Sequence, residues 1–385
     1  MKILYITLEN MSLHKGSVVH VKEMVSELRK LGHQVGLIAV SQDSFEEAEY
    51  FYGIRLRRPS LFLSCFFLFF YLCKLVHQYD IIYARDYHTV MIAYLPRWVF
   101  KKKLVFEIDG IAFEEQRLKG NSLVNRLLSS LMRQAERIAT AYSDRIVSVT
   151  PQIASHLVDV HRCPRAKVRV ISNGVNTKSF HPIHDELHLS YWKEKLGIGR
   201  GEIVVVFVGN LARWQGVGFL IDAALPLLAR EEPLKFLIVG DGPVKKDLIR
   251  KVSESCFERK FVFTGMVNYK DIPFLINVSD ICVAPFISRR NRMTGVSPLK
   301  VYEYLSCGKP VVASRIEGLE FIEKEGVGHL VEPGDVKELE EALFDLIVSP
   351  EKRAEMGSRG GQIAKERFDW GKKAVEIEKL LKELA

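Results

Sequence analysis

Residues 295–303 read Gly-Val-Ser-Pro-Leu-Lys-Val-Tyr-Glu and put a turn, a cation and a carboxylate at the start of one helix. Helix N-termini carry N–H groups without intrahelical partners and a partial positive charge, so they favour phosphate. Ser297 suits the N-cap and Pro298 the first helical position. Gly295 and Val296 line the approach with backbone amides, and Leu299 completes the turn. Lys300 adds charge in the first turn. Glu303, one turn on, does not suit phosphate, but a carboxylate chelates neighbouring hydroxyls, as acidic residues do on a ribose. A diphosphate at the helix start with a ribose one turn along describes a nucleotide-sugar.

Such a helix needs a sheet beneath it. Short apolar runs recur along the first half: KILYIT, QVGLIAV, DIIYA, KLVFEI, RIVSV and VRVIS. Helical stretches separate them, among them 17–31 ending at Gly32 and 121–142 ending before Asp144. The series restarts with EIVVVFVG, LKFLIVG, KFVFTG, ICVAPF, PVVAS and GHLVEPG. Residues 171–201, rich in Asn, Gly, His and Pro, read as the linker. Alternating strands and helices predict parallel sheets covered on both faces. The expected architecture is α/β, with two Rossmann-like doubly wound domains facing a central cleft and ligands beyond the carboxyl ends of the strands. Residues 1–178 form the first domain, 179–367 the second, and a helix at about 368–385 packs back on the first. In the second series Gly209, Gly240 with Gly242, and Gly265 each close a strand, where glycine lets backbone approach a ligand. No Gly-x-Gly-x-x-Gly follows the first strand and no Walker-type loop occurs, which argues against a nicotinamide dehydrogenase and a P-loop enzyme.

The chain has 385 residues, 48% apolar and 26% charged, a globular composition of two-domain length. Net charge is +8, and residues 1–180 hold 25 Lys and Arg against 16 Asp and Glu, while the remainder holds 30 against 31. The basic excess therefore belongs to the first half, which suits an anionic membrane leaflet or an acidic substrate, or is a plain solvated surface. No nucleic-acid-binding module accompanies it, so no nucleic acid partner is expected. Six scattered cysteines, four of them (65, 73, 282 and 307) in apolar surroundings, read as buried reduced thiols and point to the cytosol. The opening Met-Lys-Ile-Leu-Tyr-Ile-Thr runs straight into a strand, so no signal peptide is expected. Residues 60–76, SLFLSCFFLFFYLCKLV, follow the basic run RLRR at 55–58. Their uncharged core is too short to span a bilayer and reads as a buried core helix, with a helix dipping into the membrane surface as the alternative. Arg97 beside Trp98 and Lys101-Lys102-Lys103 would suit that surface.

The whole chain resembles a glycosyltransferase of family 4, a retaining enzyme with the two-domain GT-B fold. The matching segments are KGSVVHVKEMVSELRKLGHQV, ISNGVNTKSFHP, VGN with WQGV, LIVGDGP, FTGMV, SDICVAPF, SPLKVYEYLSCGKPVVAS and RFDW. The resemblance implies a nucleotide-diphosphate-sugar donor, a uridine nucleotide being favoured, and usually no metal; the lack of any Asp-x-Asp agrees with a metal-free site. It implies no resident cofactor. The second Glu of the family's Glu-x7-Glu pattern falls at Glu303, on the ribose hydroxyls, but the first falls at Gly295. The family's phosphate-binding Arg and Lys fall at Asn210 and Gln215, so both charges are gone, and Arg213 and Lys300 are the candidates to supply positive charge to the leaving diphosphate. Gly16 with Ser17 matches the glycine turn that meets donor and acceptor, Lys15 replaces a usual Gly, and His20 matches a His-Val pair with a structural or a functional role open. Arg85 and Asp109 fall at strand ends where relatives carry His and are candidates for sugar or phosphate contact, with His88 weaker. Residues 264–268, including Gly265, Met266 and Val267, are expected to meet the base through backbone.

The implied reaction is attack by an acceptor hydroxyl on the face the nucleotide leaves, with the departing phosphate oxygen taking the proton. The acceptor is a saccharide or a lipid-linked carrier, as in surface polysaccharide or glycan assembly, and the expected location is the cytoplasm or the inner face of the membrane. Two rivals stay open: a nucleotide-sugar epimerase, and a non-catalytic nucleotide-sugar binding protein.

Overall fold

The computed structural model describes all residues except 14, 42–44, 56–59, 118, 119, 121, 231, 288–290, 292 and 385, and the side chain of Glu115. Most of the basic run at 55–58 therefore lies outside the described residues. The chain folds as two compact units, Met1–Gly174 with Trp370–Ala385, and Val175–Asp369. The crossing points thus fall at Gly174/Val175 and Asp369/Trp370, a few residues from the boundaries read in the sequence.

The first unit is built on strands β1 (Lys2–Asn10), β2 (Gln34–Val40), β3 (Tyr50–Ile54), β4 (Ile81–Arg85), β5 (Lys103–Ile108), β6 (Arg145–Ser148) and β7 (Val168–Val170). Among the described residues they pair in the order β3-β2-β1-β4-β5-β6-β7, every pair parallel. Ile3, Leu4, Tyr5 and Ile6 are successive and all buried, the mark of a strand covered on both faces. Strand β3 had no counterpart in the sequence reading, because Tyr-Phe-Tyr-Gly-Ile is a half-buried edge run without the continuous apolar pattern of the others. Helices α1 (Gly16–Lys30), α2 (Leu61–Leu75), α3 (Tyr87–Val99), α4 (Ala112–Arg117), α5 (Leu123–Tyr142) and α6 (Pro151–Asp159) connect them. Right-handed crossovers place successive helices on one face until the strand order reverses. Accordingly α1 packs with the C-terminal helix Trp370–Lys382, whereas α3 packs between α2 and α5, and α2, α3, α5 and α6 share one apolar core.

Helix α2 does not behave as the buried core helix read from its composition. It buries Ser64, Leu68, Leu72 and Leu75, a single stripe at spacings of a helical face, while Phe62, Phe66 and Phe70 on the opposite face are exposed. The cysteines divide likewise: Cys163, Cys282 and Cys307 are buried free thiols, Cys65 and Cys73 are half-buried on α2, and Cys256 is exposed.

In the second unit β8 (Ile203–Val208), β9 (Leu234–Val239), β10 (Phe261–Gly265), β11 (Ile281–Ala284), β12 (Val311–Ser314) and β13 (Gly328–Val331) form a parallel sheet in the order β10-β9-β8-β11-β12-β13. Helices α7 (Glu186–Lys195), α8 (Val217–Ala229), α9 (Lys245–Ser253), α10 (Ile272–Asn277), α11 (Leu299–Ser306), α12 (Phe321–Lys324), α13 (Val336–Ile347) and α14 (Pro350–Ile363) cover it. The stretch 171–201 is not a linker. Val175 and Phe180 sit in the core of this unit, α7 packs on α10, and Ser306 Oγ donates to the Phe180 carbonyl at 2.5 Å.

Strand order reverses between β8 and β11, and α11 stands over that switch point. Buried Tyr304 of α11 fixes it there: its hydroxyl accepts the Val208 N–H, at the end of β8, at 2.7 Å. Tyr304→Phe keeps the volume and orphans that amide, so it should cost about 1–3 kcal/mol of stability in urea unfolding. An unchanged midpoint would show that the bond does not hold α11 to the strand.

Candidate active site

In the second unit the candidate residues meet at the carboxyl ends of β8, β9 and β10. The Lys300 side chain crosses from α11 to this edge, where its Nζ lies 3.9 Å from the Phe207 ring centroid and 5.4 Å from that of Phe286. It donates to Gln215 Oε1 at 2.7 Å. Burial lowers its pKa to about 7, partly offset by the nearby Glu303 carboxylate. Gly209 makes room for this ammonium, since a Cβ there would stand 2.5 Å from Nζ. Gly240 in turn has φ of 130°, and its Cβ would fall 1.9 Å from the Gly209 carbonyl oxygen. These glycines therefore let backbone approach backbone and a cation. The Gly240 N–H bonds the Gly265 carbonyl at 3.0 Å, and Gly242 abuts Asn210 Oδ1, so the three turns stack into one wall.

The helix start differs in detail from its sequence reading. Pro298, not Ser297, occupies the N-cap position, and α11 begins at Leu299. Ser297 Oγ instead lies 3.1 Å from the Tyr302 hydroxyl. The Val296 N–H is taken by the Glu317 carbonyl at 2.9 Å, so it is not the diphosphate donor expected of it. Gly295 adopts φ of 61°, which a side chain would strain. The first-turn amides of Leu299 and Lys300 lack a carbonyl four residues back within the helix. Glu303 is buried, and its Oε1 accepts from the Tyr269 hydroxyl at 2.8 Å. Tyr269 follows the 264–268 turn, in which Met266 is exposed and Val267 leans on the core. Arg213 stands exposed beside Gln215, with no side-chain partner among the described residues. Lys300 thus takes its place in the wall and Arg213 does not.

The first unit gathers a second cluster at the carboxyl edge of its sheet. Arg85, ending β4, is buried and ion-paired to Asp109 beyond β5, and its NH1 donates to the Ser17 carbonyl at 2.6 Å. Two residues singled out separately are therefore one pair, tied to the Gly16-Ser17 start of α1. Asp109 raises the Arg85 pKa against the effect of burial. Behind the pair, His20 Nε2 meets Glu107 Oε1 at 2.5 Å, His20 Nδ1 lies 2.7 Å from Asn173 Oδ1, and Tyr5 donates to Glu107 Oε2 at 3.1 Å. Burial opposes charge on both partners, but His20 and Arg85 hold Glu107 down to about 2 and Glu107 raises His20. His20 is thus buried within this network, not open at the sheet edge. His88 is only paired loosely with Asp86, 3.4 Å away, outside this cluster. Glu107 and Tyr269 escaped the sequence reading. The signal for Glu107 was a lone carboxylate inside an apolar strand, KLVFEI; for Tyr269 there was none beyond its place after a turn.

Because both Glu107 and His20 are almost wholly buried, Glu107→Gln should cost about 3–5 kcal/mol by leaving a cation uncompensated. The sign with pH follows from the two shifts. The raised His20 contributes fully below its ordinary pKa and loses that contribution as pH rises through its folded value; the lowered Glu107 loses its contribution only as pH falls towards about 2. The stability difference between wild type and His20→Asn should therefore be greatest below the ordinary histidine pKa of about 6.5 and shrink as pH rises above it. A difference that stays flat as pH rises would mean the pair is neutral.

The sequence model of the group 1 glycosyl transferases matches residues 202–349, and that of glycosyltransferase family 4 matches residues 14–179. An uncharacterized glycosyltransferase of Methanocaldococcus jannaschii is 26% identical over 336 residues, 83% of this chain and 81% of its own. The alpha-D-kanosaminyltransferase of Streptomyces kanamyceticus is 24% identical over 276 residues, 71% of this chain and 69% of its own. Among solved structures, Anabaena HepE in complex with UDP and glucose is similar with a TM-score of 0.78 at 20% identity, over 99% of each chain. With two parallel-sheet α/β domains and both family matches in chain order, the chain belongs to the family 4 glycosyltransferases of GT-B fold.

Proposed function

We propose that the protein is a retaining, metal-independent hexosyltransferase that moves a sugar from a UDP-sugar to a hydroxyl of a saccharide or lipid-linked acceptor in surface glycan assembly. The observation that carries this reading is the Lys300 ammonium, held over two aromatic rings beside the glycine wall, with the Glu303 carboxylate one helical turn away. The cation and the α11 amides would take the diphosphate, Glu303 the ribose hydroxyls, and the 264–268 backbone the base. One solved neighbour, Anabaena HepE, determined in complex with UDP and with UDP-glucose, supports that donor class.

As the glycosidic bond to the donor phosphate breaks, negative charge builds on the leaving oxygen. Lys300 and the open helix turn stabilise it. The acceptor hydroxyl attacks from the same face and passes its proton to that oxygen, so no carboxylate nucleophile is required. Arg85 and Asp109 would then orient the transferred sugar or the acceptor.

Calorimetric titration of UDP, GDP and ADP into wild type, Glu303→Ala and Lys300→Met tests the reading. UDP should bind with a dissociation constant of roughly micromolar order, weakened about 10–100-fold in Glu303→Ala. Wild-type affinity should fall as pH rises through about 7, where Lys300 loses its proton, and Lys300→Met should remove that dependence. Folded protein that takes up none of the three nucleotides would overturn the donor site, and a product of inverted anomeric configuration would overturn the mechanism.

A further inference from the structure

We propose that α2, α3 and α5 together form a membrane-docking face that lies in the headgroup–acyl boundary of an anionic bilayer. This inference rests on the surface of the first unit alone and does not depend on the donor site. The three helices lie side by side on one face of the sheet, α3 in the middle. Tyr94 of α3 and Tyr142 of α5 sit with ring centroids 4.3 Å apart, and His77 after α2 meets Phe100 after α3 at 6.3 Å.

The outward surfaces of these helices are apolar where a water-facing helix is polar. On α2, Phe62 is 79% exposed, with Phe66 and Phe70 following one turn apart. On α3, Trp98 is 72% exposed beside Leu95. Helix α5 buries Ser129, Glu136 and Thr140 together with Ala139, and turns Leu123, Leu127 and Leu131 outward, Leu123 at 81% exposure. Exposed apolar side chains grouped on neighbouring helices mark an interaction site.

Charge selects the occupant. The three helices carry Lys74, Arg126, Arg133 and Arg137, with Arg97 paired to Asp144 just beyond α5, and their one acid, Glu136, is buried. Lys101, Lys102 and Lys103 continue the series beyond α3. A second copy of the chain docked through the same face would bring like charges together. Anionic headgroups around an apolar interior complement the face, with Trp98 and the tyrosines at the depth such rings prefer. Leu61–Gln78 is long and apolar enough to cross a bilayer, but Leu68, Leu72 and Leu75 are locked in the core of the unit. The helix therefore lies in the membrane plane with its phenylalanine face down.

Sedimentation of the intact protein with vesicles of phosphatidylcholine, alone or mixed with phosphatidylglycerol, tests this. The protein should partition onto the mixed vesicles, release as salt is raised, and show a blue shift of emission that Trp98→Phe removes. Phe62→Ser/Phe66→Ser/Phe70→Ser should lower partitioning by about tenfold or more with an unchanged thermal midpoint. Arg126→Glu/Arg133→Glu, a second variant with the apolar face intact, should lose binding to the anionic vesicles. Folded wild type that stays in solution at low salt, or partitioning that neither variant alters, would overturn the proposal. So would a concentration-dependent dimer, without vesicle binding, that the phenylalanine variant abolishes.

Discussion

The burial of one ammonium organises the second unit. Lys300 reaches from α11 to the switch point of a parallel sheet and is held there by two aromatic rings and a side-chain amide. A half-desolvated cation tolerates few neighbours, and each of them follows from it. Residue 209 is Gly: its φ of 146° strains any side chain, and a Cβ there would stand 2.5 Å from Nζ. Residue 215 must accept a hydrogen bond and carry no positive charge, and Gln does both. Gln215 meets the ammonium as a neutral acceptor brought to the same wall from a different element. The neutral Asn210 fits the same account, since it abuts Gly242 and adds no second charge.

The first unit solves a related problem with paired charges. Its sheet edge would bury a guanidinium and an imidazolium, and each is given a carboxylate: Asp109 for Arg85 and Glu107 for His20. Asn173 and Trp370 close around His20, one by hydrogen bond and one edge-on at 5.0 Å. The chain's return to the first unit at Trp370 thus completes the packing behind the Gly16-Ser17 turn. Replacing any single member would strand its partner in a low dielectric, which ties the glycine turn, two strand ends and the C-terminal helix into one unit of stability.

The same crossover rule that builds the sheets also collects α2, α3 and α5 on one face. Their inner stripes pack on one core of the unit, that of α5 through mostly polar side chains. Their outer surfaces are not interchangeable with solvent-facing helix.

Most of the architecture could be read in the amino-acid sequence. Continuous apolar runs such as VVVFV and LVF are legible because a strand buried on both faces has no polar alternation to blur it. Glycine at 209, 240 and 265 was legible because each closes a strand, and all three take a positive φ that a side chain would strain. Lys300 and Glu303 were legible because one helical turn separates them whatever else the fold does. What the sequence could not contain was direction and partnership. Composition alone cannot say which side of α2 faces out, since the helix is apolar all round and only its core contacts break the tie. The pairing of Arg85 with Asp109, and of Glu107 with His20, spans strands far apart in the chain and exists only once the parallel register is set. The capping of α11 was misplaced by one residue because Tyr302, a neighbour through the helix, engages the Ser297 hydroxyl. Local spacing determined which residues could act, and long-range packing decided which of them meet.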